Sequence, residues 1–292
     1  MTVGPHGILI VHKPAGLTSH DVVNRVRRVT KIRQVGHAGK LDPMATGVLV
    51  VCLGAATRIS EYLLGHDKRY RATIRLGVET NTYDADGVMT ATREVNVDRA
   101  IVEAALTQFT GEIQQIPPMY SAIKREGQKL YELARQGLEV ERAARSVIVH
   151  SIELLDFQPP DLTIDVCCSA GTYVRSIAHD IGGALETGAH LIELTRTASG
   201  PFTLDQAIDL ETLATHWADH LHAIDEALRD WPLVVLAEPE RRRALNGAPL
   251  FSVKVSGDHC RAHDEQGNLL ALLVFDRKQQ WWRAEKVLTM NN

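Results

Sequence analysis

The order of hydrophobic and polar positions predicts alternating strands and helices over the first 230 residues. Runs that alternate or are continuously apolar, many of them rich in Val and Ile, predict strands at 7–13, 48–53, 68–76, 147–157, 162–168 and 190–198. Apolar residues at helical spacing predict helices after Thr18 or Ser19, from Gly171-Thr172, and at 55–64, 98–109, 209–215 and 220–229. Residues 77–87 have neither period, and we expect an irregular polar loop there.

The pattern changes after Trp231-Pro232. Short alternating runs at 233–236, 251–255, 269–275 and 281–287 are separated by glycines. Such short, closely spaced strands are typical of a small β-barrel or sandwich. We therefore predict two domains, residues 1–230 and residues 231–292.

Composition places the chain among ordinary globular proteins, with 45% hydrophobic and 23% charged residues in 292. No apolar run is long enough to cross a membrane, and the first six residues do not resemble a secretion signal, so we expect a cytoplasmic protein without a membrane partner. The four cysteines include no C-x-x-C pair, which argues against a zinc site or a disulfide framework. His216, His220 and His222 are better explained as surface residues than as metal ligands.

Charge is distributed unevenly. Residues 1–150 contain 20 Lys and Arg against 15 Asp and Glu, whereas residues 151–292 contain 12 against 21. One basic group lies on or near the first predicted helix: Arg25, Arg27, Arg28, Lys31 and Arg33. This group could contact the phosphates of a polyanion or form a solvated helix face, and the sequence leaves both interpretations open.

A second basic segment is the polar excursion at 119–145. It places four cations, Lys124, Arg125, Lys129 and Arg135, close to Tyr120 and Tyr131. Cations suit phosphates and aromatic rings suit bases, so this segment could grip a nucleic-acid loop. The alternative is a mobile surface insertion without a ligand.

The stretch GHAGKLDPMATG at 36–47 combines three glycines and a proline with a single acid, Asp42. Glycines permit sharp turns and close approach of a ligand, and Pro43 restricts Asp42 to extended conformations. Arg175, in the first turn of a largely apolar helix, would be costly to bury alone, so we expect an anion beside it.

Seven motifs follow one another between residues 13 and 175: KPxGxTS (13–19), GHAGxLDPxATGVL (36–49), DKRY (67–70), DADG (84–87), IPPMYSA (116–122), KLYExARxG (129–137) and GTYVR (171–175). Together they resemble the motifs of the TruB family, the bacterial tRNA pseudouridine-55 synthases, and the resemblance extends from about residue 7 to residue 200. DADG also resembles the opening of a calcium loop, but it lacks the third acid and the distal glutamate, so we reject that interpretation.

The resemblance implies an enzyme that isomerises one uridine in the T-loop of tRNA, at position 55, after flipping the base out of its stack. No cofactor or metal is implied, because the reaction involves no redox change and imports no group. Asp42 matches the catalytic aspartate, Arg175 its arginine partner, and Tyr70 the ring that stacks on uracil and can take the C5 proton. His37 matches the residue that fills the vacated base position, and Leu194 matches an apolar residue against the uracil.

The implied fold is α+β: a mixed, mainly antiparallel central sheet flanked by helices, with an RNA-gripping insert near 120–145. The C-terminal domain resembles, by pattern only, the small RNA-binding PUA β-barrel. RNA contacts are expected from Lys13, Lys68, Arg69, Lys124, Arg125, Lys129, Tyr131, Arg135, Arg27 and Arg28. Lys40 stands where the family usually has a small residue, and we assign it no role.

Several alternatives stay open. A relative could act on another uridine or use a guide RNA, although the complete insert and the lack of long basic tails favour a stand-alone, monomeric tRNA enzyme. A catalytically idle RNA-folding module is disfavoured by the presence of Asp42, Tyr70 and Arg175. An aspartate-phosphorylating hydrolase would need a second acid for Mg²⁺, which Asp42-Pro43-Met44 does not supply. Attack at uracil C6, attack at ribose C1′ and proton removal at C2′ would all use the same carboxylate.

Overall fold

The structure is a computed structural model that describes residues 5–125 and 127–288. The strands are β1 (Gly7–Lys13), β2 (Val35–His37), β3 (Thr46–Leu53), β4 (Lys68–Leu76), β5 (Val78–Thr80), β6 (Met89–Thr92), β7 (Gly111–Gln115), β8 (Lys124–Arg125), β9 (Gln128–Lys129), β10 (Arg145–Gln158), β11 (Asp161–Cys168), β12 (Ala189–Ser199), β13 (Phe202–Thr203), β14 (Leu233–Val235), β15 (His259–His263), β16 (Leu269–Asp276) and β17 (Trp281–Val287). The α-helices are α1 (Ser19–Thr30), α2 (Ser60–Leu64), α3 (Arg99–Leu106), α4 (Leu130–Arg135), α5 (Val174–Ala184), α6 (Leu210–His216) and α7 (Glu238–Leu245).

The centre of the molecule is a nine-stranded mixed sheet. Seven strands follow the order β1-β3-β12-β4-β11-β10-β7, with β2 and β13 attached to β3 and β12. Among these pairs only β12 and β3 run parallel, at Thr195–Thr46 and Arg196–Gly47. The mixed, mainly antiparallel sheet flanked by helices was predicted and is confirmed.

Two apolar cores cover one face of this sheet. One core contains Ile74, Ile164 and Leu191 from the sheet and Ile177 and Ile181 from α5. Another combines β1 and β3 with Val22, Val23 and Val26 of α1. Because β3, β12 and β4 lie inside the sheet, with a paired strand on each side, the ends of these strands provide rigid positions for polar side chains near the loops.

The first helix begins as its sequence predicts. Thr18 is the N-cap, and its side chain and that of Asp21 form a reciprocal capping box. The helix ends at Lys31, which has a left-handed backbone (φ 60°) and bonds back to the carbonyl of Arg27. The N-cap at Thr18 places Ser19, the first helical residue, against the loop that carries Asp42.

The C-terminal region differs from its predicted pattern. Its strands form a four-stranded sheet in the order β14-β15-β16-β17, and no closed barrel occurs among residues 233–288. The run 251–255 is not a strand, β15 was missed, and Arg241, Arg242 and Arg243 lie in α7. This sheet has its own apolar core, which includes Leu236, Ala244, Leu250 and Trp282. Packing against α7 therefore replaces the strand pairing that the alternation at 251–255 predicted.

Other predicted elements were shorter or absent. The segment 220–229 contains a 3₁₀ turn at Ile224–Leu228 in place of a helix, and β7 was missed because its GEIQQ sequence is polar at an exposed sheet edge. Within the described part of the chain, none of the helices has the length and apolar character needed to cross a membrane.

The small sheet packs on the main body. Leu272 and Leu288 join the core that contains Ile59 and Leu63. Arg261 Nη1 lies 2.7 Å from Asp225 Oδ2, and its other nitrogens donate to the carbonyls of Trp231 and Arg229. Apolar packing together with these partly buried Arg261 contacts fixes one face of the small sheet against the body.

Candidate active site

The loop that carries Asp42 runs between β2 and β3. Ser19 Oγ accepts the N–H of Leu41 at 2.8 Å, and the N–H of Gly16 donates to the carbonyl of Pro43 at 2.8 Å. Gly39 and Gly47 have φ of 119° and 98°, which favour glycine. At Gly47 a Cβ would also lie 2.2 Å from the carbonyl oxygen of Arg196. The loop is therefore held rigidly at both of its flanks, while the Asp42 side chain remains 43% exposed.

Arg175 lies directly behind that carboxylate, in the first turn of α5. Its side chain is 5% exposed, and its Nη2 is 3.0 Å from Asp42 Oδ2. Nη1 is 3.1 Å from Asp84 Oδ2 and donates to the carbonyl of Thr82 at 3.2 Å, while Nη2 also donates to the carbonyl of Tyr120 at 3.0 Å. Two carboxylates supply the anion that the sequence predicts for this arginine.

Asp84 is a site residue that sequence reasoning missed. It is 4% exposed and accepts hydrogen bonds from Thr82 Oγ1 at 2.5 Å and from the N–H of Asp86 at 3.2 Å. Its DADG motif was recognised, but only a calcium loop was considered for it. The useful signal was the buried arginine, which in a low-dielectric environment needs more than one half-exposed carboxylate.

Tyr70 and Leu194 lie on one face of the central sheet, beside the Asp42 loop. In the β4–β12 pairing Tyr70 is opposite Arg196 and Leu194 is opposite Ala72. Leu194 is buried in the core, and Tyr70 packs against that core half-exposed. Burial raises the pKa of Tyr70, and the neighbouring Arg196 guanidinium opposes that rise. The result is an apolar wall with a phenol hydroxyl near the Asp42 side chain.

His37 ends β2 at the entrance of the loop. Its ring is half-buried, and Nδ1 has no hydrogen-bond partner among the described residues. Burial lowers the pKa of His37, and the charges of Lys40 and Arg196 lower it further. A neutral ring on a short strand beside Asp42 is compatible with the wedge role that the resemblance implies.

Lys13 and Lys68, expected to contact RNA, are buried in the structure. Lys13 Nζ donates to the carbonyls of Pro14, Leu17 and Pro43 at 2.9, 2.7 and 3.1 Å. Lys68 Nζ donates to the carbonyl of Leu64 at 2.6 Å and to that of His66. Backbone oxygens already accept hydrogen bonds from both ammonium groups, so this geometry gives both lysines a structural role, and their contact with RNA stays a prediction.

Arg69 does not join the site either. Residues 68 and 70 face the Asp42 loop, so Arg69 projects from the opposite face of β4, where its Nε lies 2.6 Å from Asp165 Oδ1. The positive charge of this strand is further neutralised at Arg75, whose guanidinium donates two hydrogen bonds to the Asp161 carboxylate. Acids on β11 account for much of the charge that suggested RNA contact.

The cations of α1 are partly available. Arg28 is exposed and its side chain makes no hydrogen bond or ion pair among the described residues, whereas Arg27 is half-buried and donates from Nη2 to the carbonyl of Val35 at 2.7 Å. Arg27 therefore helps to attach α1 to β2. Arg28 is the better placed of the two for an external anion.

The insert is a small folded unit. The hairpin β8–β9 and helix α4 enclose Met119, Leu130 and Leu133. Tyr131 is flanked by two cations, with Lys129 Nζ 5.3 Å and Arg135 Cζ 5.5 Å from its ring centroid. Lys124 and Arg125 lie exposed on the hairpin, although Arg125 also donates to the carbonyl of Glu141. This half of the predicted RNA-contact set stays together on one projecting element.

Comparison with known proteins decides the family. A family model described as "TruB family pseudouridylate synthase (N terminal domain)" matches residues 27–174, and one described as "tRNA pseudouridylate synthase B C-terminal domain" matches residues 175–233. The chain belongs to the TruB family. The two TruB matches meet inside α5, yet β12 from the second match pairs with β3 and β4 from the first. Both matches therefore describe parts of one sheet.

Curated TruB relatives extend over most of the chain. The tRNA pseudouridine synthase B of Pseudomonas paraeruginosa is 47% identical over 84% of this chain and 83% of the relative. That of Symbiobacterium thermophilum is 51% identical over 82% of each. Among solved structures, a Cbf5-Nop10-Gar1 complex has a chain with a TM-score of 0.77 and 28% identity, covering 97% of this chain and 85% of that chain.

A second solved structure, an H/ACA RNP bound to a substrate RNA containing 2′-deoxyuridine, has a TM-score of 0.75 and 26% identity, covering 98% of this chain and 86% of that chain.

Residues 5–125 and 127–288 contain no group of three or more His, Cys, Asp and Glu that could hold a metal ion. His216, His220 and His222 thus form no such group.

Proposed function

We propose that this TruB-family chain converts a uridine of tRNA to pseudouridine, at position 55 of the T-loop, with Asp42 as its nucleophile or base. The observation that carries the proposal is the Asp42–Arg175 ion pair at 3.0 Å, in which a buried guanidinium orients a half-exposed carboxylate. The curated relatives named tRNA pseudouridine synthase B support the substrate class. The isomerisation needs no cofactor, because it changes no oxidation state and imports no group.

The target base is flipped out of the T-loop to reach Asp42. Tyr70 and Leu194 offer a ring and an apolar wall to the uracil, and His37 is the side chain that fills the vacated position. Tyr70 stacks on the base, and its oxygen relays the C5 proton, accepting it as the hydroxyl's own proton passes to water. Attack at C6, attack at C1′ and deprotonation at C2′ all begin from the same Asp42 oxygen atoms.

RNA is gripped by exposed cations on two elements. Lys124, Lys129 and Arg135 on the insert contact phosphates around Tyr131, and Arg28 extends the basic surface along α1. We further propose that residues 1–230 form the catalytic domain and 231–292 a PUA-like RNA-binding domain. The protein acts as a cytoplasmic monomer. It uses no guide RNA, because its identity to the tRNA enzymes, 44–51%, is higher than its identity to the H/ACA-type chains, 26–28%.

The test is incubation of the purified chain with unmodified tRNA and no other RNA, followed by position-resolved detection of pseudouridine. We expect modification at position 55 alone. Asp42→Asn should abolish it and leave tRNA affinity and melting temperature nearly unchanged, because the side chain is half-exposed. Modification elsewhere would refute the position, a requirement for added guide RNA would refute the stand-alone mechanism, and an active Asp42→Asn variant would refute the catalytic assignment.

A further inference from the structure

Arg196 is a buried cation that neither the sequence motifs nor the proposed chemistry uses. It lies on β12 at 1% exposure, among the largest fully buried side chains of the described chain. No carboxylate pairs with it within residues 5–125 and 127–288. A guanidinium buried without an acid must be compensated by other acceptors.

Those acceptors are three backbone carbonyls on either side of Asp42. Arg196 Nε donates to the carbonyl of Val48 at 2.7 Å. Nη1 donates to that of Lys40 at 3.2 Å, and Nη2 to that of Gly39 at 3.1 Å. The planar guanidinium therefore joins the start of β3 to the irregular segment two residues before the acid.

The backbone of Arg196 contributes to the same contact. Gly47 pairs with Arg196 across the parallel β3–β12 ladder, and a Cβ at Gly47 would lie 2.2 Å from the Arg196 carbonyl oxygen. On the other side of β12, Arg196 is opposite Tyr70. One residue thus contacts the loop of Asp42 and stands next to Tyr70.

We propose that Arg196 is a positioning residue: its three-carbonyl clamp sets the distance between the Asp42 carboxylate and Tyr70 and thereby the rate of isomerisation. The inference rests on the catalytic role proposed for Asp42. Arg196 does not touch the substrate in this arrangement, so it should control the chemical step and leave RNA affinity alone. A small displacement of a reacting group is enough to slow catalysis strongly.

The decisive variant is Arg196→Lys, which keeps the positive charge but cannot reach three divergent carbonyls. With saturating enzyme and unmodified tRNA, we expect a single-turnover rate constant about 100-fold lower than that of the wild type. The dissociation constant for tRNA should change by less than about twofold, since only the chemical step loses an interaction. Active wild-type protein establishes the proposed function independently of this result.

Arg261→Lys is the matched control. Arg261 also donates to two carbonyls and pairs with Asp225, but it joins the small sheet to the body away from Asp42. The Arg261→Lys variant should lower the melting temperature about as much as Arg196→Lys does, while its single-turnover rate constant stays within about twofold of the wild type. If both lysine variants slow the reaction equally, Arg196 only stabilises the fold and the proposal is wrong.

A second variant tests the clamp if Arg196→Lys fails to fold. Gly39→Ala strains the clamped segment, because Gly39 has φ of 119°, a backbone conformation that alanine rarely adopts. We expect the same signature, a slower chemical step at unchanged affinity. Where Arg196→Lys does fold, the two losses in the double variant should combine to less than their product, since both release one contact. Full activity of folded Gly39→Ala, or fully multiplicative losses, would overturn the proposal.

Discussion

Arg175 Nη2 donates a hydrogen bond of 3.0 Å to the carbonyl oxygen of Tyr120, at the base of the insert. The same nitrogen lies 3.0 Å from the Asp42 carboxylate. A single guanidinium group therefore joins the candidate catalytic acid to the insert, which carries the exposed cations Lys124, Arg125 and Arg135. This relationship predicts that the position of the insert and the orientation of Asp42 respond to the same side chain.

Arg175→Lys should loosen the insert and slow the chemistry together. A lysine ammonium cannot bridge two carboxylates and two carbonyls, so Asp42 loses its orientation and Tyr120 its donor. We expect a single-turnover rate constant at least about 100-fold lower, together with faster hydrogen exchange of the amides in residues 120–145.

Arg142→Lys provides the comparison for this variant. Arg142 donates to the carbonyl of Pro117 at 3.2 Å and contacts Glu139, but it does not reach Asp42. It should speed exchange in the insert and leave the chemical step nearly unchanged. Unaltered exchange in Arg175→Lys would show that the insert is held independently of the active site.

Asp84→Ala should destabilise the fold. It removes one acid from a buried guanidinium, and breaking such a pair costs about 3 kcal/mol of unfolding free energy. The exposed pair of Arg75 and Asp161 is the control, because Asp161→Ala should cost less than about 1 kcal/mol. Urea denaturation measures both variants. Equal losses would mean that Arg175 finds enough compensation from Asp42 and the carbonyls alone.

Lys13 predicts a specific dependence of stability on pH. Burial lowers the pKa of Lys13 from 10.5 to about 8, against the opposing attraction of Asp42. Between these values the unfolded chain keeps the proton on Lys13 and the folded chain releases it, so stability rises with pH in that window. Removing the amine should flatten that rise.

Lys13→Met tests this dependence by urea denaturation at several pH values from 7 to 10. We expect a shallower rise of unfolding free energy than in the wild type, together with an overall loss because three carbonyls lose their donor. Lys68, whose pKa burial also lowers to about 8, is present in both proteins and cancels from the difference. Lys278→Met, at an exposed turn, should reproduce the wild-type curve. Weaker tRNA binding by Lys13→Met would instead support the RNA contact expected from the sequence.

Arg28→Gln should weaken tRNA binding without changing the chemical step. Loss of an exposed cation that contacts one phosphate reduces the slope of log K for tRNA binding against log salt concentration by about one. Arg27→Gln should have a smaller effect on that slope, since its guanidinium is bonded to Val35 and Asn24, and a larger effect on stability. Binding measured between low and high salt separates the two. An unchanged slope for Arg28→Gln would make α1 a solvated face.

The sequence predicted local elements well where one physical signal dominated. The strand at 7–13 and the strand at 68–76 are observed with those bounds, and Thr18, one of the two predicted capping residues, is the N-cap of α1. The run 251–255 failed because alternation indicates a half-buried extended segment but does not supply a neighbouring strand. The exposed edge strand β7 had too few apolar residues to give any period.

For the site, sequence alone determined the acid on its glycine-rich loop, the need of Arg175 for an anion and the family to which the chain belongs. Only the tertiary structure decided that Asp84 completes this ion pair, that Lys13 Nζ bonds to backbone carbonyls, and that Arg196 clamps the Asp42 loop. The physical reason is the same in each case. A buried polar group is satisfied by partners far away in the chain, and the sheet register and helix packing determine which ones come within hydrogen-bond distance.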